Sequence, residues 1–475
     1  MTGPRHRPDR GPKHTGRKGP TGPPRRPSTT RPPEVDPSRQ VALDLLAAVR
    51  ERSAYANLTL PGLLAEARLS GRDAALATEL AYGSCRMLGQ LDAVLQACSD
   101  RELADLDGPV LDALRLGAYQ LLHTRIPSHA AVSVTVDLVR AGSRPGAAGF
   151  TNAVLRKVGA ADLAGWVERL APARDEDLIG YLSLATAHPR WITTALADSL
   201  GDANDLEPAL AADDRPAGVH LVARPGGIDR DELAAEVDGT PARWSPYGVY
   251  LPQGDPGRIE AVRDGRAAVQ DEGSQLMAVA AATAPLDGRD ERWMDLAAGP
   301  GGKAALLGAL LAERGGELDA VEITPHRADL VRRTVRGLPV RVHTADGRDP
   351  GLPEGEYDRV LLDAPCTGLG ALRRRPEARW RRDRGDVAGL VRLQRELLDS
   401  AARMVRPGGI VAYVTCSPHL SETEGVIGRR PRDLELIDAR PLLPGVPQLG
   451  DGPTVQLWPH RHGTDAMFLA LLRRA

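Results

Sequence analysis

The chain has 475 residues, enough for about three domains of ordinary size. Lys plus Arg number 61 and Asp plus Glu 63, a net charge of −2, with 42 % hydrophobic residues, which excludes a fibrous or wholly disordered chain. Four cysteines exclude a disulfide scaffold and point to a reducing compartment, and no run approaches the ~18 apolar residues of a membrane span.

Residues 1–38 hold nine Lys/Arg against Asp9, Glu34 and Asp36, a local charge of +6, together with ten prolines. With almost no large apolar residues, 1–36 is expected to be a disordered basic tail. It either reflects compositional bias or adds salt-sensitive, sequence-independent affinity for nucleic acid. It lacks the apolar centre of a signal peptide, so a cytoplasmic protein is expected.

Asp36-Pro37 reads as an N-cap with proline at the first helical position. Ala42, Leu45, Leu46 and Val49 then share one helical face. The same spacing recurs at Leu91, Val94, Leu95 and Cys98, at Leu111, Leu114, Ala118 and Leu121, and at Phe150, Ala153 and Val154. No period-2 run interrupts them, so 37–165 is predicted to be an all-α bundle with Cys85 and Cys98 in its core. Over 166–285, Pro189-Arg-Trp-Ile opens a helical stretch. Gly218-Val-His-Leu-Val and Tyr247-Gly-Val-Tyr-Leu read as short strands, predicting a small α+β unit.

From 286 to 475 strand and helix alternate. Trp293-Met-Asp295, Glu317 to Glu322, Arg359 to Asp363 and Gly409 to Thr415 read as strands, each ending on a polar residue. This predicts a parallel, doubly wound sheet with its ligand at the carboxyl ends of the strands. Ala297, Ala298, Gly299, Pro300, Gly301 and Gly302, ahead of Lys303, let the backbone approach a ligand closely and lead into a helix with free N–H groups. Glu322 lies twenty residues after Gly302, where an acid can accept from two ribose hydroxyls. The G-x-G-x-x-G of nicotinamide dehydrogenases is missing. Together these residues point to an adenosyl ligand.

Two cysteines fall just past strand ends, in Asp363-Ala-Pro-Cys366-Thr and Thr415-Cys416-Ser-Pro. Such placement suits a nucleophile in the ligand cleft. There is no C-x-x-C, and His419, His460 and His462 lack ligand-like spacing, so no metal is expected. Residues 373–384 carry seven arginines against Glu377 and Asp383, with Trp380 among them. Arg373, Arg374, Arg375, Arg379 and Trp380 are therefore candidates for phosphate contact and base stacking, beside the plainer reading of a solvated charged face.

These motifs carry a resemblance. Asp295-Leu-Ala-Ala-Gly-Pro-Gly-Gly-Lys303, Asp363-Ala-Pro-Cys366, Arg373-Arg-Arg-Pro-Glu-Ala-Arg-Trp380 and Thr415-Cys-Ser417 resemble the Nop/Sun family of RNA cytosine-5 methyltransferases, its RsmB-type 16S rRNA branch above all. Val269-Gln-Asp-Glu-Gly-Ser-Gln275 matches the segment that leads into their catalytic core. Arg39-Gln-Val-Ala-Leu-Asp-Leu-Leu46, Ala118-Tyr-Gln-Leu-Leu122 and Gly149-Phe-Thr-Asn-Ala-Val-Leu-Arg156 resemble a NusB-like RNA-binding bundle. The chain departs from the pattern at Ala297 and Gly299 (usually Cys and Ala), at Thr367 (Ser), at Leu221-Val-Ala223 (R-V-N) and at Glu422-Thr423 (Glu-Asn).

The resemblance implies a NusB-like bundle, a small α+β linker that binds RNA, and over 286–475 a Rossmann-like class I methyltransferase domain. It implies S-adenosyl-L-methionine as cofactor, held by 297–303, by Glu322 at the ribose, by Asp346 at the adenine and by Asp363. Cys416 becomes the implied nucleophile, Cys366 assists product release, and Asp363 meets the cytosine N3 edge. The Pro-Cys motif of DNA cytosine methyltransferases would instead nominate Cys366. The implied partner is RNA, rRNA free of the assembled subunit first. A tRNA substrate, or an RNA-binding antitermination or assembly factor with a vestigial methyltransferase domain, stays open on sequence alone. Oligomeric state is not legible.

Overall fold

The computed structural model describes residues 35–142 and 145–475. The tail expected over 1–36 therefore lies outside the described residues, apart from Val35 and Asp36. Asp36 caps the first helix, Pro37–Arg52, its carboxylate accepting from the Arg39 N–H at 2.9 Å. Among the described residues eight α-helices run from Pro37 to Leu170. Ala42, Leu45, Leu46, Leu91, Val94, Leu95, Leu111, Leu114 and Ala118 share one core with Cys85 and Cys98. Arg39 donates to Gln120 Oε1 at 2.8 Å inside that bundle, so these two residues of the NusB-like motifs hold helices together.

One predicted face turns. Ala153 is exposed, and helix Ala148–Val158 buries Thr151, Val154, Leu155 and Val158 instead. Thr151 reads as a surface residue, but its hydroxyl donates back to the Ala147 carbonyl at 3.0 Å and so can be buried without cost in hydrogen bonds.

The 166–285 stretch is divided by packing. Helices Leu178–Ala185, Arg190–Leu200 and Ala203–Asp213 share a core with Leu369, Leu372 and Trp458. An antiparallel sheet in the order Thr240–Pro241, Gly248–Leu251, Val219–Ala223, Ala267–Val269 has its own core around Leu221, Leu233 and Val249. Leu221, Val222 and Ala223 are buried in the core. Helix Glu272–Thr283 has almost no polar face, and Leu276, Met277 and Ala280 seal it against the large sheet.

That sheet runs Leu434–Ile437, Phe468–Arg474, Val405–Thr415, Tyr357–Asp363, Arg292–Asp295, Glu317–Val321, Val340–His343. The last five are mutually parallel, whereas Phe468–Arg474 runs antiparallel to both of its neighbours. The purely parallel expectation is thus corrected to a mixed sheet. Between residues 438 and 467 the longest α-helix is the four-residue Pro459–His462, too short for the crossover a parallel strand needs. The order reverses at Arg292–Asp295, opening a crevice at the carboxyl ends of the central strands. Apolar cores cover both faces, and no helix of the described residues is long and apolar enough to cross a membrane.

Candidate active site

Five residues converge at that crevice because five parallel strands end there. Asp295 and Asp363 close their strands, and Glu322, Asp346 and Cys416 follow within three residues of theirs. The turn after Asp295 is pinned by the Ala298 N–H on the Val321 carbonyl at 2.8 Å. Gly301, at φ +106°, then enters helix Gly302–Ala312 with a backbone that only glycine adopts readily. Lys303, on its first turn, donates to Asp363 Oδ2 at 2.7 Å. Burial works against the Lys303 ammonium, yet the Asp363 charge and hydrogen bond outweigh it and hold its pKa above the ordinary lysine value.

Glu322 is buried, accepting from the Thr324 N–H at 2.9 Å with Arg327 at 3.6 Å. A Cβ on Gly299 would sit 2.1 Å from Glu322 Oε2, so the missing side chain is what admits this carboxylate. The Ala345 N–H on the Glu322 carbonyl brings the Asp346 loop alongside. Asp346 is itself forked by the Arg348 guanidinium, at 2.6 Å for the shortest contact.

The Sγ atoms of Cys366 and Cys416 lie 3.4 Å apart, both thiols half-buried. The hydrogen bond from Cys366 holds the Cys416 thiol below its ordinary pKa against burial, with Arg375 and Lys303 adding their charges. The same hydrogen bond, followed by burial, drives Cys366 well above the usual thiol range. Two thiols with opposed acidities are thus set side by side, and the more acidic one, Cys416, is the better placed to act as a nucleophile.

Comparison with known proteins identifies the family. Residues 283–473 match the family model described as 16S rRNA methyltransferase RsmB/F, and residues 36–160 match that of the NusB family. A protein named ribosomal RNA small subunit methyltransferase B from Erwinia tasmaniensis is 31 % identical over 456 residues, 91 % of this chain and 98 % of that one. The chain belongs to the RsmB/F methyltransferase family. A putative methyltransferase, MT1451 of Mycobacterium tuberculosis, is 56 % identical over 93 % of this chain and 97 % of its own length. The crystal structure of PH0851 superposes with a TM-score of 0.77 at 23 % identity, over 93 % of this chain and 99 % of that one, and shares the fold.

As an RsmB/F member the protein is an S-adenosyl-L-methionine-dependent RNA methyltransferase, and the crevice suits that cofactor. Asp295 is fully buried with no partner on Oδ2, and burial followed by the Asp363 charge raises its pKa to about 7. Asp295, Asp363 and Glu322 outnumber the Lys303 ammonium and the Arg327 guanidinium, and a surplus of carboxylates matches the sulfonium and ammonium of a cationic ligand. Asp295 was not singled out from the sequence as a site residue. Its signal was there: an acid closing the strand that opens the glycine turn.

Most of the candidate arginines in 373–384 make contacts inside the fold. Arg373 and Arg374 both reach Asp465 at 3.0 Å and extend to Asp271. Arg379 is fully buried, donating to Asp214 at 2.8 Å and to the carbonyls of Ala187 and Asp213. Trp380 donates to the Arg86 carbonyl at 3.2 Å and lies on Gly89 of the helical bundle. Each of these four takes part in a contact that joins the bundle, the linker and the sheet. Arg375 alone of the five candidates is exposed, on the Cys416 side. Sequence reasoning also passed over the role of Glu422, a buried carboxylate that touches both cysteine loops.

Proposed function

We propose that the protein transfers a methyl group from S-adenosyl-L-methionine to carbon 5 of a cytosine in RNA, 16S rRNA being the substrate class, through a covalent adduct on Cys416. The observation that carries this reading is the 3.4 Å thiol pair beside Lys303 and Asp363. Carbon 5 of cytosine is a weak nucleophile and must be activated. The Cys416 thiolate adds to carbon 6, which turns carbon 5 into an enamine-like centre. Asp363, oriented by Lys303, receives the N3 edge and favours that addition. The bound cofactor supplies the electrophilic methyl group. A general base then takes the carbon-5 proton, the C–H electrons restore the carbon 5–carbon 6 double bond, and the Cys416 sulfur leaves as thiolate with Cys366 assisting.

In this reading residues 297–303, Glu322, Asp346 and Asp363 hold the cofactor, and Arg375 meets RNA near the target base. That base must be unstacked to reach the crevice, which favours naked RNA over an assembled subunit. The NusB-like bundle over 37–165 and the linker segment over 166–285 supply further RNA contact, ahead of the methyltransferase unit over 286–475. The 16S assignment rests on what the named relatives modify.

The test is direct. Cys416→Ala should abolish methyl transfer to rRNA, and Cys366→Ala should accumulate a protein–RNA adduct that survives denaturing gels. Full activity in Cys416→Ala would overturn the mechanism. Bisulfite sequencing of RNA from a deletion strain should show one unmethylated 16S cytosine. A change confined to tRNA would replace the substrate.

A further inference from the structure

The strand ladder stops short of the two cysteines. Asp363 pairs with Val414, and the Ala364 N–H on the Val414 carbonyl at 2.8 Å follows. Past that bond the Cys366 and Cys416 loops leave the ladder, and their backbones meet again at the Gly370 N–H on the Cys416 carbonyl at 2.9 Å. Both residues that directly follow the cysteines, Thr367 and Ser417, turn to the same carboxylate. Glu422 Oε1 accepts from the Thr367 N–H at 2.8 Å and from the Gln394 amide at 3.1 Å. Oε2 accepts from the Thr367 hydroxyl and, at 2.7 Å, from the Ser417 hydroxyl. Gln394 also donates to the Pro365 carbonyl at 2.8 Å, and the Tyr413 hydroxyl to the Glu422 carbonyl at 2.7 Å.

Glu422 is fully buried, and every one of these donors is neutral. A carboxylate in such a place is costly, and a plain packing role would be filled by an uncharged side chain. What only a carboxylate does is accept from four donors at once. We propose that Glu422 is the positioning residue that fastens the Cys366 loop to the Cys416 loop and fixes which of the two thiols is presented as the nucleophile. The proposal deepens the Cys416 reading above and rests on it for its catalytic meaning.

Charge acts in the same direction as geometry. The bond to Cys416 and burial push the Cys366 thiol up first, and the Glu422 charge adds to this. The bond between the two thiols in turn draws Cys416 below its ordinary value. Glu422 thus acts on Cys416 through Cys366, without touching the reacting atoms.

The experiment uses the full-length protein with Glu422→Gln, which keeps shape and one acceptor oxygen. The kcat of rRNA methylation is expected to fall about tenfold or more, with KM for RNA and the Kd for S-adenosyl-L-methionine within about twofold. Iodoacetamide labelling without RNA, mapped by mass spectrometry across pH 6–9, should go to Cys416 in the wild type and spread to Cys366 in the variant. Ser417→Ala and Thr367→Val each remove one donor and should show the same spread in milder form if Glu422→Gln fails to fold. Wild-type kcat, or an unchanged division of label between the thiols in all three variants, would overturn the proposal. Labelling is read without substrate, so it decides the role of Glu422 even if Cys416→Ala proves active.

Discussion

Lys303 Nζ stands 2.7 Å from Asp363 Oδ2, the first turn of one helix reaching the end of the neighbouring strand. The contact ties the glycine turn to the Asp-Ala-Pro-Cys loop, and its charge bears on Cys416 as well. Lys303→Met should therefore cut methyl transfer by about 100-fold, the scale of a lost acid–base partner. It should also move the pH midpoint of Cys416 alkylation upward, since one of the cations that stabilise the thiolate is gone. An unmoved alkylation profile would show that Lys303 does not act on the thiol.

Asp295 gives the cofactor site a pH dependence with a definite sign. Its pKa lies near 7 in the free protein. A cationic ligand prefers the ionised form, so affinity for S-adenosyl-L-methionine should rise with pH between 6 and 8, by up to about tenfold per unit below the midpoint. Asp295→Asn should flatten that rise. Calorimetry at three pH values measures it, and a flat wild-type profile would refute it.

The arginine run holds both a buried member, Arg379, and an exposed one, Arg375. Arg379→Ala strands Asp214 and several carbonyls in a buried junction. It should cost about 3–5 kcal/mol in denaturant unfolding, the scale of a broken buried ion pair. Arg375→Ala should leave stability within about 0.5 kcal/mol, as for an exposed side chain. It should reduce the salt slope of RNA binding by about 1, one phosphate contact. Equal stability losses for the two variants would remove the distinction.

Those contrasts mark what the sequence could and could not reveal. Strand ends are local: a hydrophobic run closing on Asp295, Asp363 or Thr415 identifies a crevice position from its immediate neighbours. The fate of Arg373, Arg374 and Arg379 is not local, because their carboxylate partners, Asp271, Asp465 and Asp214, sit in other elements. A charge run looks the same whether water or a buried acid neutralises it. Glu422 was hidden for a related reason. Its importance comes from donors on two loops and a helix that meet only after folding. Antiparallel Phe468–Arg474 escaped because the direction of a strand depends on its connection rather than on its own residues.

The Gly299–Glu322 approach supplies the sharpest test of the cofactor loop. A Cβ on Gly299 would meet Glu322 Oε2 at 2.1 Å and Arg327 Nη2 at 2.8 Å. Arg327 also donates to the Gly299 carbonyl at 2.7 Å, so neither side chain can yield without losing a bond. Gly299→Ala should displace the Glu322 carboxylate and weaken S-adenosyl-L-methionine binding about tenfold. Glu322→Asp withdraws the carboxylate by about 1.5 Å, one carbon–carbon bond, and reopens that space. The double variant should therefore bind more tightly than Gly299→Ala alone, with a coupling of about 1–2 kcal/mol in the cycle. Additive losses would mean that the two residues contribute independently and that the glycine serves only the turn.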